Sequence, residues 1–304
     1  MPVNVNTKYI HICLALLTLN GCSNDNDDAQ THSEIEKEPN KQHVISSKVN
    51  DTGITWRGLF PKGIDDTCIR DATRSNEQDC YTGRDVFLDD DSDGAGGFSY
   101  TKINANGEKL PSNTSAWQCV TDNVSGFMWE VKNNTTGLHN SADKFTWYNA
   151  NKKTNGGKIG DWNNQGKHCY GYEKGKPKTY CHTEQFVSRV NKQGLCGFHD
   201  WRLPTRTELT SLIHFGRTEP TIDTHFFPHT QHDFYWTSSP TATRKLEAWT
   251  VSFEYGFTTP MRRTDTRYAR LVRTSHLLKN SERNIERNIE KNSNAENNTK
   301  NNDL

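Results

Sequence analysis

Three groups of side chains in this sequence have the types and spacing to do chemistry. The first is cationic. Arg244, Lys245, Arg262, Arg263, Arg267, Arg270 and Arg273 crowd the last third, and only Glu247, Glu254 and Asp265 oppose them nearby. Guanidinium forks match sulfate or carboxylate groups two-pronged, so such a cluster is suited to an anionic ligand. Arg262-Arg263 falls at a turn and is expected to be exposed; the competing reading is an ordinary solvated charged face. The second group is Asp89, Asp91 and Asp93 followed by Gly94, the first half of an oxygen-rich calcium loop. Tyr100 stands where such a loop carries its closing bidentate Glu, and a solvated acidic turn is the alternative. The third is His225, His229 and His232 with Asp223 and Asp233. Pro228 inside that run breaks the helix that would align two of the histidines on a metal.

The cysteines say where this chemistry takes place. Lys8 and the short apolar run Ile10–Leu19, interrupted by His11, lead to Leu19-Asn20-Gly21-Cys22. The run is too short to span a bilayer but suits the apolar region of a secretory signal. The tetrapeptide resembles a bacterial lipobox, in which a small residue precedes a cysteine whose sulfur accepts a diacylglycerol. Cys22 is therefore the expected lipidation site, with several acyl chains making the anchor durable. An ordinary signal peptide cut nearby is the competing reading. Ser23 after the cysteine, rather than Asp, points to the outer membrane by the sorting rule of such lipoproteins, facing the periplasm or the surface. Beyond Cys13 in the leader and Cys22, six cysteines remain: Cys68, Cys80, Cys119, Cys169, Cys181 and Cys196. An even set in an oxidising compartment reads as disulfides, and the absence of any Cys-x-x-Cys pair disfavours zinc. Of the many pairings, the expectation is Cys68–Cys80, Cys181–Cys196 and Cys119–Cys169.

The elements that must position these groups lie between two polar ends. Residues 1–21 form the leader. Residues 22–49 are charged and almost free of aromatics, which predicts a flexible tether, and 275–304 is a similar Asn-rich tail with a short Glu-Arg-Asn-Ile repeat. The globular body is expected over 50–274. Ala248–Tyr255 alternates, placing Trp249, Val251, Phe253 and Tyr255 on one face of a strand, with Arg267–Arg273 as its partner strand. Helices are predicted over Thr183–Gln193 and from Thr205, where Thr205 and Glu208 form a capping box ahead of Leu209, Leu212 and Ile213. The fold class is α+β: one compact, disulfide-stabilised domain of short antiparallel strands with one or two helices.

Several motifs together resemble a known family. Asp122-Asn123-Val124-Ser125-Gly126-Phe127-Met128-Trp129-Glu130, then Gly194 through Leu209 with its Asp200-Trp201-Arg202-Leu203-Pro204-Thr205 centre, follow the order of the Lcl C-terminal domain. Ile222-Asp223, Phe227-Pro228, Tyr235-Trp236-Thr237-Ser238-Ser239 and Arg270-Leu271-Val272-Arg273 continue it, so the family core runs over about 119–273. The family takes its name from a bacterial collagen-like adhesin; this chain has no Gly-x-y repeat, so trimerisation through a collagen stalk is not implied. The resemblance implies a compact α+β domain related to C-type-lectin-like folds and, from the adhesin, binding of sulfated glycosaminoglycans. Read without the family, Trp129, Trp147, Trp201, Trp236 and Trp249 are core bodies with one donor each, and Arg202 is a half-buried cation pairing with Glu130, Asp200 or Glu208.

Bulk properties narrow the functions. Net charge is zero, 32% of residues are hydrophobic and mean hydropathy is −0.92. Nothing in that balance calls for nucleic acid or a general affinity for anionic membrane, so an electrostatic partner must be read by a local patch. No nucleophile elbow, phosphate loop, dinucleotide fingerprint or His-Glu-x-x-His is present. Glu38-Pro39-Asn40 spells a lectin sugar-binding tripeptide but lies in the tether. Asn123-Val124-Ser125 fits a glycosylation acceptor that a bacterial lipoprotein need not use. The sequence therefore predicts a lipid-anchored envelope binding module, non-enzymatic and adhesin-like. Its ligand would be a sulfated or acidic glycan, or extracellular matrix, bound through Arg244, Lys245, Arg262, Arg263 and Arg267. It would need no cofactor beyond a structural calcium at Asp89, Asp91 and Asp93. The alternatives are a structural envelope lipoprotein and, less favoured, a hydrolase with an unrecognised site.

Overall fold

The computed structural model describes residues 50–59, 63–65, 92–162 and 168–275. The leader, Cys22, the tether, Cys68, Cys80, Asp89, Asp91 and the polar tail lie outside the described residues. All the sheets are antiparallel. A two-stranded ribbon pairs β1 (Arg57–Leu59) with β2 (Gly63–Asp65). A four-stranded sheet runs in the order β3 (Tyr100–Ile103), β4 (Cys119–Asp122), β5 (Phe127–Glu130) and β9 (Val272–Thr274). A three-stranded sheet contains β6 (Phe234–Pro240), β7 (Glu247–Ser252) and β8 (Thr258–Arg262). With two short helices added, the domain is α+β, mostly antiparallel strand, as the sequence predicts.

The last strand is where the sequence reading needs correction. Arg267–Arg273 does not pair along Ala248–Tyr255. Val272–Thr274 instead closes the four-stranded sheet against Phe127–Trp129, and β7 takes β6 and β8 as neighbours. Strand β7 is buried on both faces. Ala248 packs with Trp147 and Trp236 on one side, while Val251 and Phe253 join the main core on the other. Both hydrogen-bonding edges of β7 are filled by β6 and β8, so no edge is left for residues 267–273. Tyr255 lies past the strand's end and is exposed, and Trp249 is only partly buried.

Helix α1 (Thr183–Gln193) forms over the predicted residues. Its first turn is capped by His182, whose Nδ1 accepts the Gln185 amide at 3.2 Å. Thr183, Phe186 and Val190 form the buried stripe at helical spacing, and Gly194 ends it with φ +83°, where a Cβ would collide with His199. Helix α2 (Arg206–Thr210) is short. Its predicted capping box is complete: Thr205 Oγ1 accepts the Glu208 amide at 3.3 Å, and Glu208 Oε2 accepts the Thr205 amide at 2.7 Å. Leu212 and Ile213 lie beyond its end yet remain buried.

Among the described residues, two disulfides pin the core: Cys119–Cys196 and Cys169–Cys181. Both differ from the expected Cys181–Cys196 and Cys119–Cys169; the third expected pair, Cys68–Cys80, lies outside the described residues. Helix α1 explains the first discrepancy. Cys181 and Cys196 lie past opposite ends of an eleven-residue helix about 16 Å long, an arrangement that works against the Cα approach of about 7 Å a disulfide needs. Cys119 at the start of β4 meets Cys196 in the same core cluster, and Cys169 is left to close a local loop with Cys181.

Candidate functional site

The family-type motifs meet at one seam, and there they are occupied with one another. Glu130, at the end of β5, is fully buried. Its Oε1 accepts Lys132 Nζ at 2.8 Å and faces His139 Nδ1 at 2.7 Å, while Oε2 accepts the Leu271 amide at 2.9 Å. Burial pushes the Glu130 carboxyl upward, but Lys132 and His139 beside it outweigh that and hold it at about 2. Arg270 is buried too, donating to the Glu130 carbonyl (2.7 Å) and to Thr230 Oγ1 (2.8 Å). Arg273 is buried across Asp200 (2.6 and 3.2 Å) and over the Phe198 ring. Arg202 takes Glu208 from among its three candidate carboxylates, in a two-pronged pair at 2.7 and 2.8 Å. Tryptophan donors follow the same logic: Trp147, Trp201 and Trp236 donate to the carbonyls of Thr237, Leu195 and Phe145. Arg270 and Arg273 are thus removed from the exposed basic run in which the sequence places them.

The remaining cations gather elsewhere. The β6–β7 turn brings Arg244, Lys245 and Leu246; the end of β8 brings Arg262 and Arg263; and the loop before Gly160 brings Lys158 and Ile159. Together they wall a groove of about 650 Å³. Lys158, Arg244, Lys245 and Arg262 are exposed, and Leu246 (69% exposed) and Ile159 (43%) form apolar shoulders between them. One carboxylate, Glu247, lines the groove and pairs with Arg244 at 3.2 Å, a solvent-screened contact of little strength. The groove therefore presents excess positive charge beside apolar surface.

Arg263 plays a different part from the one predicted. It is 2% exposed. Its guanidinium donates to the Glu247 carbonyl (3.1 Å), the Asn155 carbonyl (3.0 Å) and the Lys158 carbonyl, and lies 4.1 Å from the centre of the Trp147 ring. Turn-rich residues 151–160 expose carbonyls that strand pairing cannot satisfy, and a planar multi-donor cation is suited to them. Arg263 is the floor of the groove. Arg267 is displaced as well: it sits against Met261 and Asp265, with the Phe234 ring nearby, and does not line the groove. Lys158, Ile159 and Leu246 escaped the sequence reading because a distant loop delivers the first two and an isolated exposed leucine carries no signal.

The acidic and histidine groups come out as follows. Asp93 accepts the Ser99 hydroxyl, and its carbonyl accepts the Tyr100 amide. Tyr100 itself is buried in the core. His225 Nε2 lies 3.3 Å from Lys102 Nζ. No group of three or more His, Cys, Asp or Glu is placed to hold a metal among the described residues.

A second groove, of about 510 Å³, lies on the other side of the 149–160 loop, between α1 and the Arg202–Thr205 segment. Trp147, Tyr148, Glu184, Val187, Leu203 and Ser238 are among its walls.

The family model described as the Lcl C-terminal domain matches residues 118–273, slightly more than half of the 304 residues. The chain belongs to the Lcl C-terminal domain family. No curated protein and no solved structure matches it. The Lcl match takes in β4 through most of β9, both disulfides and all the residues lining the basic groove. Among the described residues of this Lcl-family chain, no helix is long and apolar enough to cross a membrane.

Proposed function

We propose that this Lcl-family domain is a non-enzymatic binding module of the bacterial envelope, anchored by lipid on Cys22 at the outer membrane, that recognises sulfated or acidic glycans. The observation that carries the reading is the groove in which Lys158, Arg244, Lys245 and Arg262 surround the exposed Leu246 and Ile159. Four cations around apolar shoulders suit a polyanionic sugar chain: sulfate or carboxylate groups meet the ammonium and guanidinium heads, and ring C–H surface lies on the aliphatic side chains. The family's adhesin namesake supports the same direction, as does the engagement of Arg202, Glu208, Glu130 and Arg270 in holding the fold.

The test is retention of the full chain on immobilised heparin in a salt gradient. The parent should elute late, and Arg244→Ala/Lys245→Ala/Arg262→Ala should elute near the void at an unchanged melting temperature, because exposed pairs are screened by salt and contribute little to stability. Arg263 is left intact in this variant. Equal retention of parent and triple variant would remove the groove from the account. Absence of acyl modification on Cys22 of the mature protein would remove the anchor.

A further inference from the structure

The second groove has a character opposite to that of the first. Its one cation, Arg202, is neutralised by the two-pronged pair with Glu208, which also accepts the Thr205 amide. Glu184 adds a further carboxylate, of which Oε2 accepts the Ala150 amide at 2.7 Å. The lining charge is therefore negative by one, which disfavours sulfate and carboxylate ligands, whereas the basic groove beyond the same loop favours them. Trp147 separates the two: it lines this groove while its ring carries the Arg263 guanidinium beneath the other.

Its walls combine apolar surface with unspent hydroxyls. Val187 on α1 and Leu203 form one side; Tyr148 and Ser238 bring hydroxyls that make no hydrogen bond among the described residues. Thr183, by contrast, has spent its hydroxyl on the Tyr148 backbone, accepting the amide and donating to the carbonyl at 3.0 Å each. Tyr148 is steadied by His182, 4.7 Å away ring to ring, so its phenol is held on the rim by packing. A site of this size with an apolar wall and a few converging polar groups fits a small neutral ligand.

We infer that this groove binds an uncharged N-acylated sugar residue, independently of the anion-binding groove. A hexosamine carrying an acetamido group offers the matching features: hydroxyls for Tyr148, Ser238 and the free oxygen of Glu184, an amide, and a methyl for the Val187–Leu203 wall. A simple anionic sugar would face Glu184 and Glu208, and an unacylated neutral sugar would leave the apolar wall without a partner.

The experiment is saturation-transfer NMR on the full chain with tri-N-acetylchitotriose, using cellotriose as the unacylated control and heparin as competitor. Transfer should be strongest to the acetyl methyl protons, weaker for cellotriose, and undiminished by heparin or in Lys245→Ala/Arg262→Ala. Val187→Trp, which fills the groove from α1, and Ser238→Trp, which fills it from β6, should each weaken binding at least about tenfold. Melting temperature and near-ultraviolet circular dichroism identify either variant that misfolds, leaving the other to decide. No transfer from the parent, equal transfer to cellotriose, displacement by heparin, or undiminished transfer in a folded groove-filling variant would each overturn the proposal. The heparin retention of the parent reports separately on the basic groove.

Discussion

Arg262 and Arg263 are neighbours in sequence with the same side chain but opposite environments, one exposed and one buried, so replacing each by alanine separates the proposed binding from folding. Arg262 is exposed at the end of β8 and makes no contact on which the core depends. Its loss should change stability by no more than about 0.5 kcal/mol, as for most surface substitutions. Arg263 is buried and donates to three backbone carbonyls, those of Glu247, Asn155 and Lys158, while covering the Trp147 ring. With about 1–1.5 kcal/mol for each such bond, and carbonyls left without donors, Arg263→Ala should cost roughly 3–5 kcal/mol. For a domain of this size each kcal/mol lowers the melting temperature by about 2–4 °C, so the expected drop is about 6–20 °C, against at most about 2 °C for Arg262→Ala. Differential scanning calorimetry at fixed ionic strength measures this, and heparin elution of the same samples should show the reverse emphasis, with Arg262→Ala eluting earlier at parental stability. Both variants lose one positive charge, so net charge cannot explain a difference. If Arg263→Ala melted within about 2 °C of the parent, or Arg262→Ala fell as far as Arg263→Ala, the assignment of floor and rim would be wrong.

Two further perturbations test the scaffold. The Cys119–Cys196 bridge closes a separation of 77 residues and Cys169–Cys181 one of 12. By loop-closure entropy their removal should therefore cost about 4.5 and about 3 kcal/mol, and urea unfolding of the paired Cys→Ala variants should keep that order. A larger loss from the shorter loop would contradict it. Acid should weaken the fold in two separate windows. Burial holds His182 down at about 4, below its unfolded value of about 6.5, so the stability it contributes is complete above about pH 6.5 and is lost as pH falls towards 4. Glu130, held at about 2 against about 4.3 unfolded, contributes on the order of 3 kcal/mol that disappears between about pH 4.3 and 2. Urea titrations across pH should lose the upper window in His182→Asn, which keeps a cap acceptor for α1, and the lower window in Glu130→Gln; persistence of both slopes would refute these assignments.

Local signals in this sequence were legible where local physics decides the outcome. The limits of α1, its stop at Gly194 and the Thr205–Glu208 capping box follow from backbone chemistry within a few residues. The Arg202 partner was legible only in part: three carboxylates suit it in sequence, and the fold selects Glu208. What failed was pairing at long range. Arg267–Arg273 alternates like a strand, but nothing in its composition says that Val272 belongs beside Trp129 rather than along β7. The cysteines failed similarly, because nearness in sequence suggests Cys181–Cys196 while the helix between them works against it and Cys196 pairs with Cys119. A turn position suggests exposure for Arg263, but two of the three carbonyls that hold it come from a segment about a hundred residues earlier.

The division of labour between motif and loop residues follows from this geometry. The charged groups of the family-type motifs are spent on one another, Arg202 on Glu208, Arg273 on Asp200 and Arg270 on the Glu130 carbonyl, while the Trp201 and Trp236 indoles donate to backbone oxygens. A buried charge paired in this way is costly to redirect to a ligand, because removing either partner strands the other. Under the proposed binding role, ligand selection rests with side chains the scaffold does not require. Lys158, Ile159, Arg244, Lys245 and Leu246 stand on two loops, and Arg262 on the exposed end of an edge strand. Such positions can change with little effect on stability. Under that proposed role, a seam that fixes the fold while its rim stays free to vary would let one Lcl-type framework serve different ligands, with the family motifs reporting the architecture alone.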